Sequence, residues 1–242
     1  MKSIVSQNYN DFEYLIIDGA STDTSKSVIK KYADKITYWI SEPDSGIYNA
    51  MNKGIRRAKG DYLLFINSGD TLYNTDVLSD IFEQVAAKNE PELVYGDLQR
   101  VFPGAHTDIV SMPKTVTMFR MIYSTLAHPV TFIKKDLFDK YGLYREDLRI
   151  VSDWVFFLKL IIERNVSQLH LPIVVASFDM SGISNLNYAD TEAEREKALN
   201  SMFSAEMLRI LHNFHRYERF YNKKIFVFMR QIKQLILKII KK

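Results

Sequence analysis

The sequence of 242 residues contains no cysteine, and this absence excludes several kinds of site. There is no disulfide framework, no thiolate zinc site and no cysteine nucleophile, and a chain without cysteine suits a reducing compartment. No run of 18 or more apolar residues occurs, so no segment would span a bilayer as a helix. The first residues also lack the apolar core and cleavage site of a secretory signal. We therefore expect a cytoplasmic protein.

A strong charge of one sign is also lacking over the whole chain. The 32 basic and 29 acidic side chains give a net charge of +3, which is too small to indicate a nucleic-acid partner. The distribution is uneven, because residues 223–242 contain seven basic and no acidic side chains, and residues 1–222 carry a net charge of −4. A mildly acidic body therefore precedes a basic tail.

The basic tail, residues 223–242, has an amphipathic pattern. On a helical wheel its apolar side chains share one face and most of its lysines occupy the other. A helix of this kind fits an anionic membrane surface. The alternative is a helix that packs its apolar face on the body and leaves the lysines in solvent. We expect membrane contact, which would make the protein peripheral on the inner face of the cell membrane.

Short apolar runs alternate with helical segments in the first half of the chain. The predicted strands are Glu13–Asp18, Ile36–Ile40 and Tyr62–Ile66, with predicted helices at 24–32 and 47–58. This alternation predicts an α/β fold with a mostly parallel sheet flanked by helices. In open α/β sheets ligands bind beyond the carboxyl ends of the strands, where Asp18 and residues 67–70 would lie.

The second half of the chain is less regular. Further strands are predicted at 93–97, 130–133 and 169–178, and an apolar helix at 154–162 with Ser152 or Asp153 as its N-cap. From about residue 190 the pattern is helical. We therefore predict one domain over residues 1–189 and a helical C-terminal extension over residues 190–242.

Four segments taken together resemble the family 2 glycosyltransferases. They are Ser3–Tyr9, Leu15–Asp23, Ser41–Gly54 and Gly60–Asp70, and they occur in the order of that family. The resemblance covers about residues 3–185. It implies a GT-A fold and the inverting transfer of a sugar from a nucleotide-sugar donor. It also implies a glycan or lipid-linked acceptor, as in the bacterial enzymes that build surface polysaccharides.

The resemblance assigns donor-binding roles to three residues. Asp18 matches the family carboxylate that accepts hydrogen bonds from the nucleotide base, although it also suits a turn-capping aspartate. Asp44 lies in a loop that the family uses beside the nucleotide and the donor sugar, and its Pro-Asp-Ser-Gly context is equally a turn. Ser184 belongs to a loop that resembles a donor-side loop of the family, where it would meet phosphate oxygens.

A divalent metal, Mg²⁺ or Mn²⁺, is the cofactor that the resemblance implies at the diphosphate. The family places a DxD-type motif after the strand that Tyr62–Ile66 would form, whereas this sequence has Asn67-Ser68-Gly69-Asp70. The match makes Asp70 the metal ligand and Asn67 a contact to ribose or phosphate. A β-turn over the same four residues is compatible with both roles.

Asp153 is the candidate general base. Val151–Trp154 resembles the acidic motif that precedes the acceptor-side helix in the family, although the second carboxylate that many relatives carry is Val155 here. The alternative for Asp153 is an N-cap without a catalytic role. His128 lies near the same site in relatives, and we expect it to be structural.

The family normally begins with a strand and a helix ahead of the Ser3–Tyr9 match. The resemblance therefore predicts a domain without its usual first strand. This prediction leaves open a second reading of the chain, a catalytically inactive truncated glycosyltransferase that acts as a binding or scaffold domain.

Overall fold

The computed structural model describes residues 1–181 and 188–221. The chain divides into two compact units, residues 1–194 and residues 195–242. The predicted boundary between residues 189 and 190 stays a prediction. Two other hypotheses, the phosphate contact of Ser184 and the amphipathic tail at 223–242, lie outside the described residues. Within the described ranges, no helix combines the length and the apolar character that crossing a membrane requires.

Strands and helices alternate over the first half of the chain, as predicted. The strands are β1 (Leu15–Asp18), β2 (Tyr38–Ser41), β3 (Tyr62–Leu63), β4 (Thr71–Leu72), β5 (Leu93–Val101), β6 (Thr107–Val110), β7 (Thr131–Lys134) and β8 (Gln168–Asp179). The helices are α1 (Lys2–Val5), α2 (Ser25–Lys31), α3 (Ile47–Arg57), α4 (Val77–Ala86), α5 (Met118–Tyr123), α6 (Asp136–Tyr141), α7 (Ser152–Ile162), α8 (Tyr188–Met202) and α9 (Ala205–Tyr221).

The strands form two sheets. β1 and β2 make a parallel pair, and the second sheet has the order β3-β7-β5-β8-β4 with β6 added on β5. In this larger sheet only β5 and β8 are parallel, and the other pairs are antiparallel. The α/β class is confirmed, but the sheet is mixed rather than mostly parallel. One cause is the short connection from β5 to β6, because antiparallel strands can join through a turn whereas parallel strands need a crossover.

A cavity of about 730 Å³ lies between the two sheets. It is lined by Leu15 and Ile17 of β1 and by the apolar run Leu63–Ile66, with α3 and α4 contributing further apolar side chains. In the described part of the chain β1 pairs only with β2, and β3 pairs only with β7. The predicted strand Tyr62–Ile66 is therefore only two residues long, and Leu64–Ile66 continue along the cavity as half-buried chain without strand pairing.

The core of the larger sheet packs against α7. Most side chains of this helix are buried, and the indole Nε1 of Trp154 donates a hydrogen bond to the Met121 carbonyl over 2.6 Å. β5 and β8 approach so closely at Gly96 that a Cβ there would collide with the Ile173 carbonyl. Glycine is therefore required at this register shift. The apolar helix fixes the position of its first turn, which carries Asp153.

Candidate active site

Asp18 is the last residue of β1, and its side chain is buried. Its carboxylate accepts hydrogen bonds from the Ser21 hydroxyl (2.5 Å), the Ser21 backbone N–H (3.0 Å) and the Ser41 hydroxyl (2.6 Å). Burial alone would raise the pKa of Asp18, but these hydrogen bonds outweigh burial and hold that pKa below its usual range. Asp18 is therefore an ionised turn-capping aspartate at the carboxyl end of its strand, with lone pairs left to accept a ligand N–H.

Asp44 lies in the loop before α3, directly against the turn that follows β1. A Cβ on Gly19 would collide with the Asp44 carboxyl group, so glycine allows the close approach of the two loops. Asp44 Oδ1 accepts a hydrogen bond from the Gly46 N–H over 3.0 Å, the turn that the sequence suggested. Asp44 and Asn67 line the same cavity. Two of the predicted donor-binding residues therefore line one cavity.

Asn67 to Asp70 form the predicted β-turn. The Asp70 N–H donates to the Asn67 carbonyl over 3.0 Å, and Gly69 has φ = +97°, a value that favours glycine. The side-chain amide of Asn67 makes no hydrogen bond to any residue in the described ranges, so it is available to a ligand. The turn leaves the Asn67 side chain free to contact a ligand, because the hydrogen bond of the turn uses backbone atoms only.

Asp70 is only 7% exposed, and its two carboxylate oxygens have different environments. Oδ1 accepts a hydrogen bond from the Asp179 N–H over 3.1 Å, whereas Oδ2 is buried and has no hydrogen-bond partner among residues 1–181 and 188–221. Burial, together with a smaller effect of the negative charge of Asp179, raises the pKa of Asp70 to about 6. A buried carboxylate oxygen without a partner requires a proton or a cation.

Asp179, the last residue of β8, is a carboxylate that sequence reasoning missed. A Cβ on Gly69 would lie 3.2 Å from both the Cβ and Oδ2 of Asp179, which brings this side chain to the turn that carries Asp70. Hydrogen bonds from the Ser181 hydroxyl and backbone N–H lower the pKa of Asp179, so it is ionised. Its position at the end of a predicted strand was the available signal.

The acidic pair Asp70 and Asp179 fits a divalent cation only in part. Within the described residues no group of three or more acidic or histidine side chains could hold a metal ion. Mg²⁺ commonly binds through one or two carboxylates together with substrate phosphates and water. The buried Oδ2 of Asp70 is the atom that fits such a cation, with the remaining ligands coming from a bound diphosphate.

Asp153 lies in the first turn of α7, where the N-cap is Val151 and forms no side-chain cap. The prediction that Ser152 or Asp153 caps this helix was wrong, because the helix begins at Ser152 itself. Asp153 Oδ1 accepts a hydrogen bond from the Tyr48 hydroxyl over 2.7 Å. Its Oδ2 lies 3.9 Å from His128 Nδ1, and the Asp153 side chain is 20% exposed. One oxygen is therefore held while the other is left for a proton.

His128 lies between Asp153 and Phe65, which is two residues before Asn67. Its Nε2 is 2.9 Å from the Tyr144 hydroxyl, and its ring stacks on Phe65 with centroids 4.8 Å apart. Burial lowers the pKa of His128, and the nearby Asp153 charge only partly opposes this effect. His128 is therefore a neutral, packed side chain that lies against both Asp153 and Phe65.

The polar residues of α3 dock this helix on the segment that carries the base. Tyr48 contacts Asp153, and Asn49 donates to Glu146 over 2.7 Å. Asn52 donates to Glu146 and to the Tyr144 carbonyl, and it accepts from the Tyr144 N–H over 3.0 Å. Sequence reasoning took only Asp44 from this region. The missed signal was polar residues spaced three and four apart on a helix with a buried face.

Comparison with known proteins decides the family. The profile of the family described as glycosyl transferase family 2 matches residues 1–149. The chain belongs to glycosyl transferase family 2. A "PGL/p-HBAD biosynthesis glycosyltransferase" of Mycobacterium bovis (strain BCG / Pasteur 1173P2) is 27% identical over 190 residues, which cover 76% of this chain and 72% of that protein. An "Uncharacterized glycosyltransferase RT0329" of Rickettsia typhi is 23% identical over 228 residues, which cover 89% of this chain and 71% of that protein.

Solved structures show that this glycosyltransferase has a GT-A-like fold. S. aureus TarS 1-349 in complex with UDP is similar at a TM-score of 0.61 and 21% identity, over 74% of this chain and 54% of that chain. TarS 1-349 without a named ligand gives a TM-score of 0.62 at 21% identity, and the match covers 92% of this chain and 69% of that chain. This glycosyltransferase spans about half the length of the UDP-bound TarS chain.

Glu194 holds the segment that leads to Asp153 in this glycosyltransferase. Its carboxylate accepts hydrogen bonds from the backbone N–H groups of Arg149 (2.7 Å), Ile150 (2.9 Å) and Val151 (3.3 Å). These donors lie just ahead of α7 and have no helical partner of their own. Glu194 therefore orients the entry to the catalytic helix without touching Asp153.

We predict that Glu194→Ala destabilises the protein by about 1–3 kcal/mol, because three N–H groups lose a charged acceptor. The urea midpoint measures this loss. The exposed Glu196 lies on the same helix, so Glu196→Ala makes the same change in helix propensity and should leave the midpoint near that of the wild type. Equal midpoints for the two variants would contradict the assigned role of Glu194.

Proposed function

We propose that this glycosyltransferase moves a sugar from a nucleoside-diphosphate donor to an acceptor hydroxyl with inversion at the anomeric carbon, using Asp153 as the base. One observation carries the proposal. Asp153 has one carboxylate oxygen held by Tyr48, beside a histidine whose ring stacks on Phe65, two residues before Asn67. A partly exposed, oriented carboxylate is suited to accept a proton from a substrate.

The donor would bind along the loops that follow β1 and β3. Asp18 would accept a hydrogen bond from the nucleotide base, and Asp44 and Asn67 would contact the ribose, the phosphates or the sugar. Support comes from the shared cavity that Asp44 and Asn67 line, and from the unpartnered side-chain amide of Asn67. S. aureus TarS 1-349 has been solved with UDP and with UDP-GlcNAc, which supports a nucleotide-sugar as the donor class.

Asp70, with Asp179 beside it, would hold Mg²⁺ or Mn²⁺ near the diphosphate. The buried, unpartnered Oδ2 of Asp70 supports this assignment. A divalent cation there would offset the negative charge that develops on the leaving diphosphate. The two carboxylates would hold the cation at the end of β8, next to the turn that contains Asn67.

In the proposed step the acceptor oxygen attacks the anomeric carbon on the face opposite the diphosphate. The bond from that carbon to the diphosphate oxygen breaks, and the hydroxyl proton passes to Asp153. Oδ2 is the receiving atom, because Oδ1 already accepts from Tyr48. His128 would line the path as a neutral group, so that it neither repels the acceptor nor competes for the proton.

The acceptor would be a glycan or lipid-linked glycan of surface polysaccharide biosynthesis at the cytoplasmic face of the membrane. The basic composition of residues 223–242 supports an anionic membrane surface as a partner. Sedimentation with vesicles containing anionic lipid tests this partner, since deletion of residues 223–242 should abolish binding. Unchanged binding after the deletion would rule out the tail as the anchor.

A thermal-shift screen of UDP-glucose, UDP-GlcNAc, GDP-mannose and dTDP-rhamnose, with and without Mn²⁺, tests the proposed function. At about 100 times its Kd a true donor should stabilise the protein by about 2.7 kcal/mol, which corresponds to a rise of at least about 5 °C in Tm. Asp18→Asn should remove the rise by weakening the contact to the base. The exposed Asp23 of the same loop provides the control, and the Asp23→Asn variant should still show the rise in Tm when the donor binds.

The screen also separates the proposal from its alternative. No stabilisation by any donor, at any metal concentration, would contradict the proposal and would favour a catalytically inactive domain that binds other partners. A rise that Asp18→Asn leaves unchanged would place the nucleotide elsewhere on the protein.

A further inference from the structure

The Tyr48 hydroxyl has one hydrogen and two acceptors within reach. It lies 2.7 Å from Asp153 Oδ1 and 2.6 Å from the backbone carbonyl oxygen of Ile150. Both distances are those of good O–H···O hydrogen bonds, and Tyr48 itself is only 5% exposed. Because a phenol carries a single hydrogen, it can donate to only one of these acceptors at a time. The group that accepts it must depend on the charge of Asp153.

The two protonation states of Asp153 require opposite arrangements of this hydrogen. When Asp153 is ionised it has no hydrogen to give, so the Tyr48 hydroxyl must donate to it to form the 2.7 Å contact. When Asp153 carries a proton on Oδ1, its O–H can donate to the Tyr48 oxygen, and the Tyr48 hydrogen is then free for the Ile150 carbonyl. In the protonated state both contacts of the Tyr48 oxygen are hydrogen bonds, whereas in the ionised state the Ile150 carbonyl is left without the Tyr48 hydrogen.

We propose that Tyr48 is a positioning residue whose hydroxyl hydrogen transfers its hydrogen bond from Asp153 to the Ile150 carbonyl when Asp153 becomes protonated. The proposal rests on the assignment of Asp153 as the base. A proton taken from the acceptor arrives at Oδ2 and moves between the two carboxyl oxygens by rotation of the carboxyl group or by exchange with solvent. The step is balanced, because Asp153 gains the proton that the acceptor hydroxyl loses. Tyr48 keeps its hydrogen and only rotates its O–H bond.

The groups around Asp153 allow this exchange. Burial, and next the charge of Asp153, raise the pKa of Tyr48 far above its usual range, so its hydroxyl stays neutral. Burial also raises the pKa of Tyr144 and lowers that of His128, which keeps both of them uncharged. Glu194 accepts a hydrogen bond from the backbone N–H of Val151, which shares a peptide unit with the Ile150 carbonyl, and so helps to hold that peptide in place. Tyr48, Tyr144 and His128 therefore stay uncharged around Asp153, the carboxylate that takes the proton in the proposed step.

The test is an NMR titration of the full chain, which needs no donor or acceptor. With aspartate labelled at the side-chain carboxyl carbon and isoleucine at the carbonyl carbon, the Ile150 carbonyl shift should follow the titration of the Asp153 carboxyl with the same midpoint. In Tyr48→Phe the Ile150 shift should no longer titrate, and the Asp153 midpoint should rise by about one pH unit, since a hydrogen bond to the charged form is lost.

Tyr62→Phe is the matched control, because the Tyr62 hydroxyl donates to the Pro91 carbonyl over 2.6 Å and to no carboxylate. It should leave both titrations unchanged. An Ile150 carbonyl that does not follow Asp153 in the wild type would overturn the proposal, whether or not Tyr48→Phe folds. An Asp153 midpoint that shifts by less than about 0.3 unit in Tyr48→Phe would also overturn it. Failure of the proposed transferase function, by contrast, would appear in the donor screen and in turnover, and the titration requires neither.

Discussion

Asp153→Asn should lower turnover by about 10²-fold to 10⁴-fold, the range that a positioned general base contributes, while donor affinity stays near that of the wild type. An amide cannot accept the proton of the acceptor hydroxyl, but its Oδ1 can still accept the hydrogen bond of Tyr48. The local structure should therefore survive the loss of the base. Turnover with the donor found in the screen, and donor Kd by calorimetry, measure the two effects separately.

Asp147→Asn provides the control for this variant. Asp147 lies on the same segment but is exposed and paired with Arg145 at 2.6 Å, so its replacement should change turnover by less than about twofold. If Asp153→Asn keeps full activity, the base assignment is wrong. If it loses donor affinity as strongly as turnover, Asp153 binds the donor instead of acting on the acceptor.

Asp70→Asn should weaken Mn²⁺ binding in the presence of a nucleoside diphosphate by at least about tenfold. Replacing a residue that only hydrogen-bonds to a metal ligand commonly causes a loss of this size, so replacing the ligand itself should cause no less. The amide oxygen would keep the hydrogen bond from the Asp179 N–H, so the amide nitrogen would replace Oδ2, and an amide nitrogen does not ligate such a cation. Calorimetry with Mn²⁺ measures the affinity, and turnover in the presence of EDTA measures the dependence on metal.

The stability of Asp70→Asn separates a metal role from a structural one. In the absence of metal the variant should be no less stable than the wild type, because an uncharged amide removes the cost of a buried carboxylate and Oδ1 can still accept from the Asp179 N–H. Asp80→Asn, on the exposed side of α4, should change neither property. An unchanged Mn²⁺ affinity in Asp70→Asn would remove this residue from the metal site.

The parts of the site that the sequence predicted are those in which a residue and its signal are adjacent in the chain. Asp18 ends an apolar strand, Asn67 and Asp70 frame a turn with glycine at the position that needs positive φ, and Asp153 lies in the first turn of an apolar helix. In each case local patterns of hydrophobicity and turn chemistry were sufficient. The roles of these residues in the reaction came from the family resemblance and remain predictions.

The parts that the sequence did not predict depend on long-range contacts. Tyr48 and Asp153 are 105 positions apart, and Asp70 and Asp179 are 109 positions apart. Glu194 reaches Ile150 across 44 positions. Nothing in a single sequence indicates which of many polar side chains will meet at such distances, because their meeting is decided by the packing of whole helices and strands.

The differences in the sheet have the same origin. The apolar run Tyr62–Ile66 has strand-like composition, yet only its first two residues have a partner, since a strand needs a neighbour to bond with. β5 pairs with three different strands, and only one of these pairs is parallel. The alternation of the first half predicted parallel pairing correctly for β1 and β2, but it carried no information about the strands added later.

The configuration of the transferred sugar tests the central claim most directly. One carboxylate base and one displacement at the anomeric carbon require that the product has the opposite anomeric configuration to the donor. The ¹H–¹H coupling constant of the anomeric proton, recorded on product formed by the wild-type chain from the donor found in the screen, distinguishes the two outcomes. We predict inversion; a product that retains the configuration of the donor would contradict the assignment of Asp153 as the base of a single-step transfer.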